Sequence, residues 1–299
     1  MPTERVRTEG SPATVTVFVI GAAGGLGQLV VRALREREVE VAVLARDPER
    51  VPAGPGVRVV AGDLSDPAAV RAAAEGCASL FLSAACDVEC QSAAVDVAAD
   101  VGARLVKMSP WQAAVREDSP AAGARHHWIT ERYLAKRDLP YTILSPSYPM
   151  QELVRHYAPE VKRHGVLVDP AGGRGVSVVD EHDVAEAAAR VLTEPGHEGR
   201  TYALTGPAAP TFAELAELLG GLMSAPVSAS ELAGPELAAW LAREHRPWEA
   251  ELDALFGQFR EGAGESVTED VRRVTGHDPR PVADFLKAHL HHFLPDRGD

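Results

Sequence analysis

The sequence predicts an α/β protein: a doubly wound parallel sheet with helices on both faces, joined by a smaller, mainly helical C-terminal lobe. Three observations predict it. Short β-branched runs alternate with Ala-rich helical stretches from residue 15 to residue 144. The first run, residues 15–20 (VTVFVI), is almost wholly apolar, as a strand buried on both faces of a parallel sheet must be. A glycine-rich turn follows it directly, and strand–turn–helix alternation marks parallel β-α-β units.

Each element carries its own signal. Residues 26–34 place Leu26, Val30, Ala33 and Leu34 at helical spacing. Residues 39–44 and 57–60 are the next strands. Residues 68–75 form a short helix, with Asp66 as N-cap and Pro67 at its first position, where a missing N–H costs nothing. Residues 80–83, 104–108 and 141–144 bring the series to six strands, with helices at 92–101 and 124–136 between them. After Pro146 the texture changes. Residues 176–179 are strand-like, Asp180 caps a helix running to Leu192, and residues 201–204 make a final strand. Thr211 caps an amphipathic helix with Leu215, Leu218 and Leu219 on one face, and the chain then stays mostly helical to His292, broken at Pro226, Pro235, Pro247 and Pro279. The expected organisation is a flexible tail at 1–13, a sheet domain at 14–150 to which 176–206 return, and a lobe made from 151–175 and 207–299. No internal repeat is evident.

The chain has 299 residues, 45% of them apolar, enough for a sizeable core. A formal charge of −13 argues against nucleic acid or an anionic membrane as partner. Any bound phosphate must be met locally, by backbone amides or a few placed cations. No apolar run approaches the roughly 20 residues that span a bilayer. The polar, Pro-containing first 13 residues read as a tail, not a signal peptide. Cys77, Cys86 and Cys90 make no disulfide framework or paired metal motif. These features point to a soluble, cytoplasmic protein, and the Ala, Val, Arg and Gly bias to a GC-rich bacterial genome.

The turn after the first strand reads Gly21-Ala22-Ala23-Gly24-Gly25-Leu26-Gly27. At a strand–helix junction this pattern has a specific use. The first glycine permits a tight turn, the middle one admits a diphosphate to the backbone, and the last lets helix and strand pack closely. Free amides at the helix N-terminus then hold the phosphates. The spacing is G-x-x-G-x-x-G, and its place makes it a Rossmann-type dinucleotide loop. The end of the second strand bears Arg46, whose guanidinium suits a 2′-phosphate, followed by Asp47. NADP(H) is therefore the expected cofactor, with NAD(H) still usable. Asp63 and Leu64, after the third strand, are placed to meet the adenine, although Asp63 can equally cap its own turn. Ser83 and Ala84 after the fourth strand, Lys107 and Ser109 on the fifth, and Pro146 and Tyr148 after the sixth complete the expected cofactor contacts.

With these residues in hand, the chain resembles the NmrA-like branch of the atypical short-chain dehydrogenases/reductases. Leu105-Val106-Lys107-Met108-Ser109 is similar to the family's fifth strand. Leu139 to Pro146, Gly175 to Asp180 with Asp183-Val184-Ala185, Gly199 to Pro207, and Val274 to Arg280 are similar to later family segments, the last two to those of bacterial NAD(P)H quinone- and azo-reductase-like members. The resemblance covers nearly the whole chain from Val15 and implies a reductase. Two departures stand out. Ordinary short-chain dehydrogenases carry Tyr-x-x-x-Lys where this chain has His127-Trp128-Ile129-Thr130-Glu131, and the family commonly has Leu-Arg-Pro where this chain has Leu144-Ser145-Pro146.

Hydride transfer from a nicotinamide asks little of the protein beyond alignment and dryness. His127 is the expected acid/base, and Glu131, one helical turn on, the residue to orient it or raise its pKa; the plainer alternative is a surface pair. Ser109 ends its strand where open sheets bind ligands. Lys107 points either to the nicotinamide ribose or to solvent. Trp111, Trp128, Tyr148 and Met150 are the aromatic and sulfur side chains available to wall a substrate pocket, or else they are core. His289, His291 and His292 lack the acids and spacing of a zinc site, so no metal is expected. No Gly-x-Ser-x-Gly elbow is present. The sequence thus supports an NADPH-preferring reductase of a small conjugated acceptor, quinone-like or a secondary-metabolite intermediate. Two rivals stay open: a non-catalytic NADP(H) sensor, and an enzyme that binds the cofactor while isomerising, cyclising or dehydrating. A homodimer is compatible with the fold.

Overall fold

The computed structural model describes residues 15–51, 54–83, 87–244 and 249–295. The expected tail at 1–13, Ala84, Cys86 and Pro247 lie outside the described residues. In chain order the first half runs β1 Thr16–Ile20, α1 Gly25–Glu36, β2 Glu40–Ala45, β3 Val57–Ala61, α2 Pro67–Ala74, β4 Ser79–Leu82, α3 Val88–Asp100, β5 Arg104–Met108, α4 Ala122–Leu134 and β6 Tyr141–Pro146. The second half continues with β7 Tyr148–Pro149, a π-helical turn Leu153–Tyr157, α5 Ala158–His164, β8 Val166–Asp169, β9 Val178–Val179, α6 Glu181–Thr193 and β10 Arg200–Leu204. It ends with α7 Phe212–Met223, β11 Ser228–Glu231, α8 Gly234–Glu244, α9 Glu249–Arg260, α10 Asp270–Thr275 and α11 Val282–Ala288.

Seven strands form one parallel sheet in the order β10-β6-β5-β4-β1-β2-β3. The apolar strands feed two cores by simple alternation. Val17 and Val19 of β1, with Val41 and Val43 of β2, face α1 and α6. Phe18, Ile20, Ala42 and Leu44 face the opposite layer of α2, α3 and α4. A polar residue at any of these positions would face one of these cores, which is why the runs show no alternation of apolar and polar residues. Asp66 accepts hydrogen bonds from the amides of Ala68 and Ala69, fixing the start of α2 where the sequence places it. Helix α3 begins four residues earlier than expected, because Asp87 caps it by accepting from the Cys90 amide.

A third core, that of the lobe, is built from α5, β8, α7, α8, α9 and α11 around Tyr157, Phe212, Trp240 and Phe256. Helix α7 starts on a capping box, Thr211 with Glu214. Two features differ from the helical lobe expected. Strands β8 and β11 pair in parallel, Val166 opposite Ser228, and Pro235 opens helix α8 in its first turn rather than breaking it. Strand β9 pairs with β7 outside the main sheet, while β10 joins the main sheet beside β6. Asp183 of α6, fully buried, accepts from the Arg280 amide and guanidinium, so two of the family-like segments noted in the sequence meet as one contact. No described helix is long and apolar enough to cross a membrane.

Candidate functional site

Strand order reverses at β1, between β2 and β4, and ligands of open α/β sheets settle beyond the strand ends at such a point. The glycine turn sits there, and its three motif glycines play different parts. Gly21 has φ +90°, and a Cβ on it would lie 1.8 Å from the Ser83 carbonyl oxygen. A Cβ on Gly27 would lie 2.1 Å from the Gly21 carbonyl oxygen. The protein's own packing therefore requires these two. Gly24 is different: its nearest neighbour to a built Cβ is 3.4 Å away, an ordinary contact. Nothing in the fold needs the missing side chain, so the bare backbone is left for a ligand to approach. Gly24 also caps α1 with no side-chain hydrogen bond over the helix amides.

A cavity of about 460 Å³ lies over this turn, bordered by Gly21, Ala22, Ala23, Gly24, Arg46, Asp63, Leu64 and Ser83. Arg46 is largely exposed, with Nε 3.5 Å from Asp63 Oδ2. Asp63 accepts from the Ser65 amide and hydroxyl at 2.9 and 2.7 Å, and its carboxyl is held below the usual range chiefly by that amide. It thus caps its own turn while bordering the cavity. Asp47 is likewise committed, accepting from the Glu49 amide. The set fits a pyridine dinucleotide: bare amides for the diphosphate and an exposed guanidinium, Arg46, suited to a 2′-phosphate. Leu26 and Gly25 lie in the first turn of α1. Pro146, at the end of β6 opposite Leu204, borders neither cavity described here.

The C-terminal end of β5 carries the second part of the site. Lys107 is fully buried rather than turned to solvent. Its Nζ lies 2.7 Å from His127 Nδ1 on α4, donates to Ser109 Oγ at 3.0 Å, and stands 4.0 Å from Glu131 Oε1. Ser109 in turn donates to Glu131 Oε1 at 2.5 Å. The expected His127–Glu131 partnership is replaced by a chain, His127–Lys107–Ser109–Glu131. The sequence could not give this pairing, because helical spacing brings 127 and 131 together without saying where each side chain turns. The expected rise in His127 pKa is also reversed: burial first, then the Lys107 charge and His126, lower it to about 3. His127 is therefore neutral near pH 7. An ammonium has no acceptor, so Nδ1 must be the bare nitrogen and Nε2 carries the hydrogen.

His127 borders a second cavity of about 480 Å³, walled by Pro110, Ala114, Ala121, Ala124, Leu252 and Leu255, with Asp87 and Glu251 as its acids. Glu251, from α9, accepts from the Gly123 amide at 3.0 Å and caps α4, which has no cap of its own. Nothing in the sequence near residue 251 signals that role. Ser145, standing where the family commonly has arginine, is buried and donates to the Pro110 carbonyl at 2.6 Å, holding the turn that edges the cavity. Three expected pocket residues are core instead. Trp111, Tyr148 and Met150 lie in the aromatic cluster of the lobe, with Tyr148 packed on Phe256 and Phe259 and Trp111 donating to the Ala263 carbonyl. Burial raises the Tyr148 pKa well above its ordinary value. Trp128 lies beside Arg132, 5.9 Å from its guanidinium carbon, and borders neither cavity. Among the described residues no cluster of three or more His, Cys, Asp or Glu could hold a metal.

Comparison with known proteins places the fold and the family. The NAD(P)H-binding family model matches residues 21–195. The (4-alkanoyl-5-oxo-2,5-dihydrofuran-3-yl)methyl phosphate reductase of Streptomyces griseus is 33% identical over 94% of this chain and 100% of its own. The NAD(P)H azoreductase of Xenophilus azovorans is 29% identical over 91% of this chain and 97% of its own. The NADPH-dependent quinone oxidoreductase QOR2 of Escherichia coli, solved with NADPH bound, superposes with a TM-score of 0.81 at 27% identity, covering 92% of this chain and 99% of that one.

Proposed function

Because the chain belongs to the NAD(P)H-binding family and is an NAD(P)H-dependent oxidoreductase, we propose that it reduces a small, uncharged conjugated acceptor of the quinone type, with NADPH preferred. The observation that carries this reading is the pairing of buried Lys107 with part-buried His127, 2.7 Å apart, at the edge of an apolar cavity. When bound, the nicotinamide supplies a hydride. Reduction of a conjugated carbonyl then needs one proton, and His127 is built to give it from Nε2. As that proton leaves, Lys107 passes one to Nδ1, and the Ser109–Glu131 hydrogen bonds connect Lys107 to a carboxylate that is partly open to solvent. A neutral donor backed by a buried ammonium can work near pH 7 without ever holding a full charge in the cavity.

Charge supports the choice of acceptor. Two acids and no lysine or arginine line the cavity. A phosphate or sulfonate would face two carboxylates there, with only the imidazoles of His126 and His127 as side-chain donors, which is costly. The Streptomyces relative's phosphate-bearing substrate therefore does not transfer to this chain. For the cofactor, the largely exposed guanidinium of Arg46, which borders the cavity over the glycine turn, favours the 2′-phosphate. The test is NADPH oxidation with a panel of quinones matched in size. Neutral naphthoquinones should turn over, and sulfonated analogues should show kcat/KM lower by about tenfold or more, the scale of one unpaired charge. NADPH binding without oxidation by any acceptor, or equal use of the sulfonates, would overturn the proposal.

A further inference from the structure

We propose that Glu251 is the charge selector of the acceptor cavity, and that with Asp87 it lets this cavity take a delocalised organic cation in preference to a neutral molecule of the same shape. The inference rests on the reading that acceptors bind beside His127, and it extends that reading to a second class of substrate. It begins from where the lobe puts a carboxylate. Glu251 lies in the first turn of α9, and its Oε2 accepts from the Gly123 amide at 3.0 Å, at the start of α4. A Cβ on Gly123 would lie 3.3 Å from that oxygen, so the glycine leaves the acid room to sit against the helix. Capping takes up one lone pair of a carboxylate and none of its charge. Glu251 Oε1 has no hydrogen-bond partner among the described residues.

Asp87 repeats the arrangement on another wall. It caps α3 by accepting from the Cys90 amide through Oδ1 at 2.9 Å, which leaves Oδ2 without a partner among the described residues. Both acids border the same cavity of about 480 Å³, walled otherwise mostly by alanine, leucine and proline. Among the described residues its only basic side chains are the imidazoles of His126 and His127, and His127 is neutral near pH 7. The Lys107 ammonium lies behind His127, fully buried, and faces Glu131 at 4.0 Å. A compact ammonium would lose its water to these apolar walls at high cost. A cation whose charge is spread over a conjugated ring is more weakly hydrated and keeps the attraction of both acids. Such a ring, an N-alkylated quinolinium for instance, is also a competent acceptor. It takes a hydride, two electrons with their hydrogen, at a ring carbon conjugated to C=N⁺; the π pair moves to nitrogen, NADPH becomes NADP⁺, and no proton is consumed. A quinone needs the His127 proton; this acceptor does not. Its product is neutral, so the attraction that held the substrate is gone when the product must leave.

The experiment measures competitive inhibition of NADPH-driven naphthoquinone reduction by the full chain, with 1-methylquinolinium and with 4-methylquinoline, its neutral counterpart with the same number of non-hydrogen atoms. At about pH 8, above the ordinary histidine range, the cation should inhibit about fivefold more tightly, the scale of one partly exposed ion pair. Glu251→Gln and Asp87→Asn keep the oxygen that each helix amide needs and lose only the charge, so each should shrink that ratio, and the double variant should abolish it. The electron-poor 3-cyano-1-methylquinolinium should be reduced outright, read as NADPH oxidation above the uncatalysed rate. Equal inhibition by the two compounds in the parent, a ratio untouched by both substitutions, or no reduction of the cyano compound would overturn the inference while quinone reduction stood. Failure to reduce any quinone would instead remove the reading beneath it, and calorimetric titration of the same pair would then decide the charge preference alone.

Discussion

At the scale of single residues, the site works through what each side chain is denied. Partial burial of His127, then the Lys107 ammonium beside it, lower its pKa to about 3. In the unfolded chain a histidine titrates near 6.5. Between those values the unfolded chain binds the extra proton and the folded one does not, so stability is fully present above about pH 6.5 and is lost as pH falls toward 3. The slope attributable to this group is at most about 1.4 kcal/mol per pH unit. Denaturant unfolding at pH 7 and pH 5 should show a steeper loss for the parent than for His127→Asn; equal slopes would refute a depressed histidine. The glycines offer a second contrast. Gly24→Val should weaken cofactor binding at least tenfold with little change in Tm, because only a ligand needs that space. Gly27→Ala, with its Cβ driven into the Gly21 carbonyl, should instead lower Tm by several degrees, which differential scanning would read. How far these residues were legible differs case by case. Lys107, Ser109, His127 and Glu131 were all found from strand ends and helical spacing, yet their pairing was not, since it depends on side-chain direction across two elements. Glu251 had no local signal; it acts on an element distant in the chain.

At the scale of elements, the main sheet was readable because burial on both faces leaves unmistakable apolar runs, and Asp66, Asp180 and Thr211 announced their helices as caps do. Strands β8 and β11 were not readable. Each has four residues, β11 is polar (SASE), and the two find each other across some sixty residues, where only tertiary packing supplies the reason for a strand. Trp111, Tyr148 and Met150 went astray for a related reason: aromatic side chains near a strand end serve a lobe core as readily as a pocket. The contact between α6 and the segment after α10 makes a prediction at this scale. Arg280→Met would strand the buried Asp183 carboxylate and should cost about 3 kcal/mol. Adding Asp183→Asn should recover part of that loss, since the pair is coupled. Additive losses in denaturant titrations would count against a coupled pair.

At the scale of the whole molecule, two cavities flank the segment that follows β4: Ser83 and Cys90 border the one over the glycine turn, and Asp87 borders the apolar one. The sheet presents the ends of β1, β2, β4 and β5 to this region, so the glycine turn and Lys107–Ser109 are set by one layer, while His127 and Glu131 reach them from α4. The lobe contributes the far wall through Leu252 and Leu255, and Glu251 ties that wall to α4. In the proposed arrangement chemistry sits between the sheet and a helical cover, with the proposed proton donor His127 on α4. The most direct measurement of that claim is stopped-flow NADPH oxidation at a saturating neutral quinone, comparing the parent with His127→Phe. The account predicts a fall in the oxidation rate of about 100-fold or more with NADPH affinity unchanged, the usual weight of a positioned proton donor. Equal rates in the two proteins would contradict it.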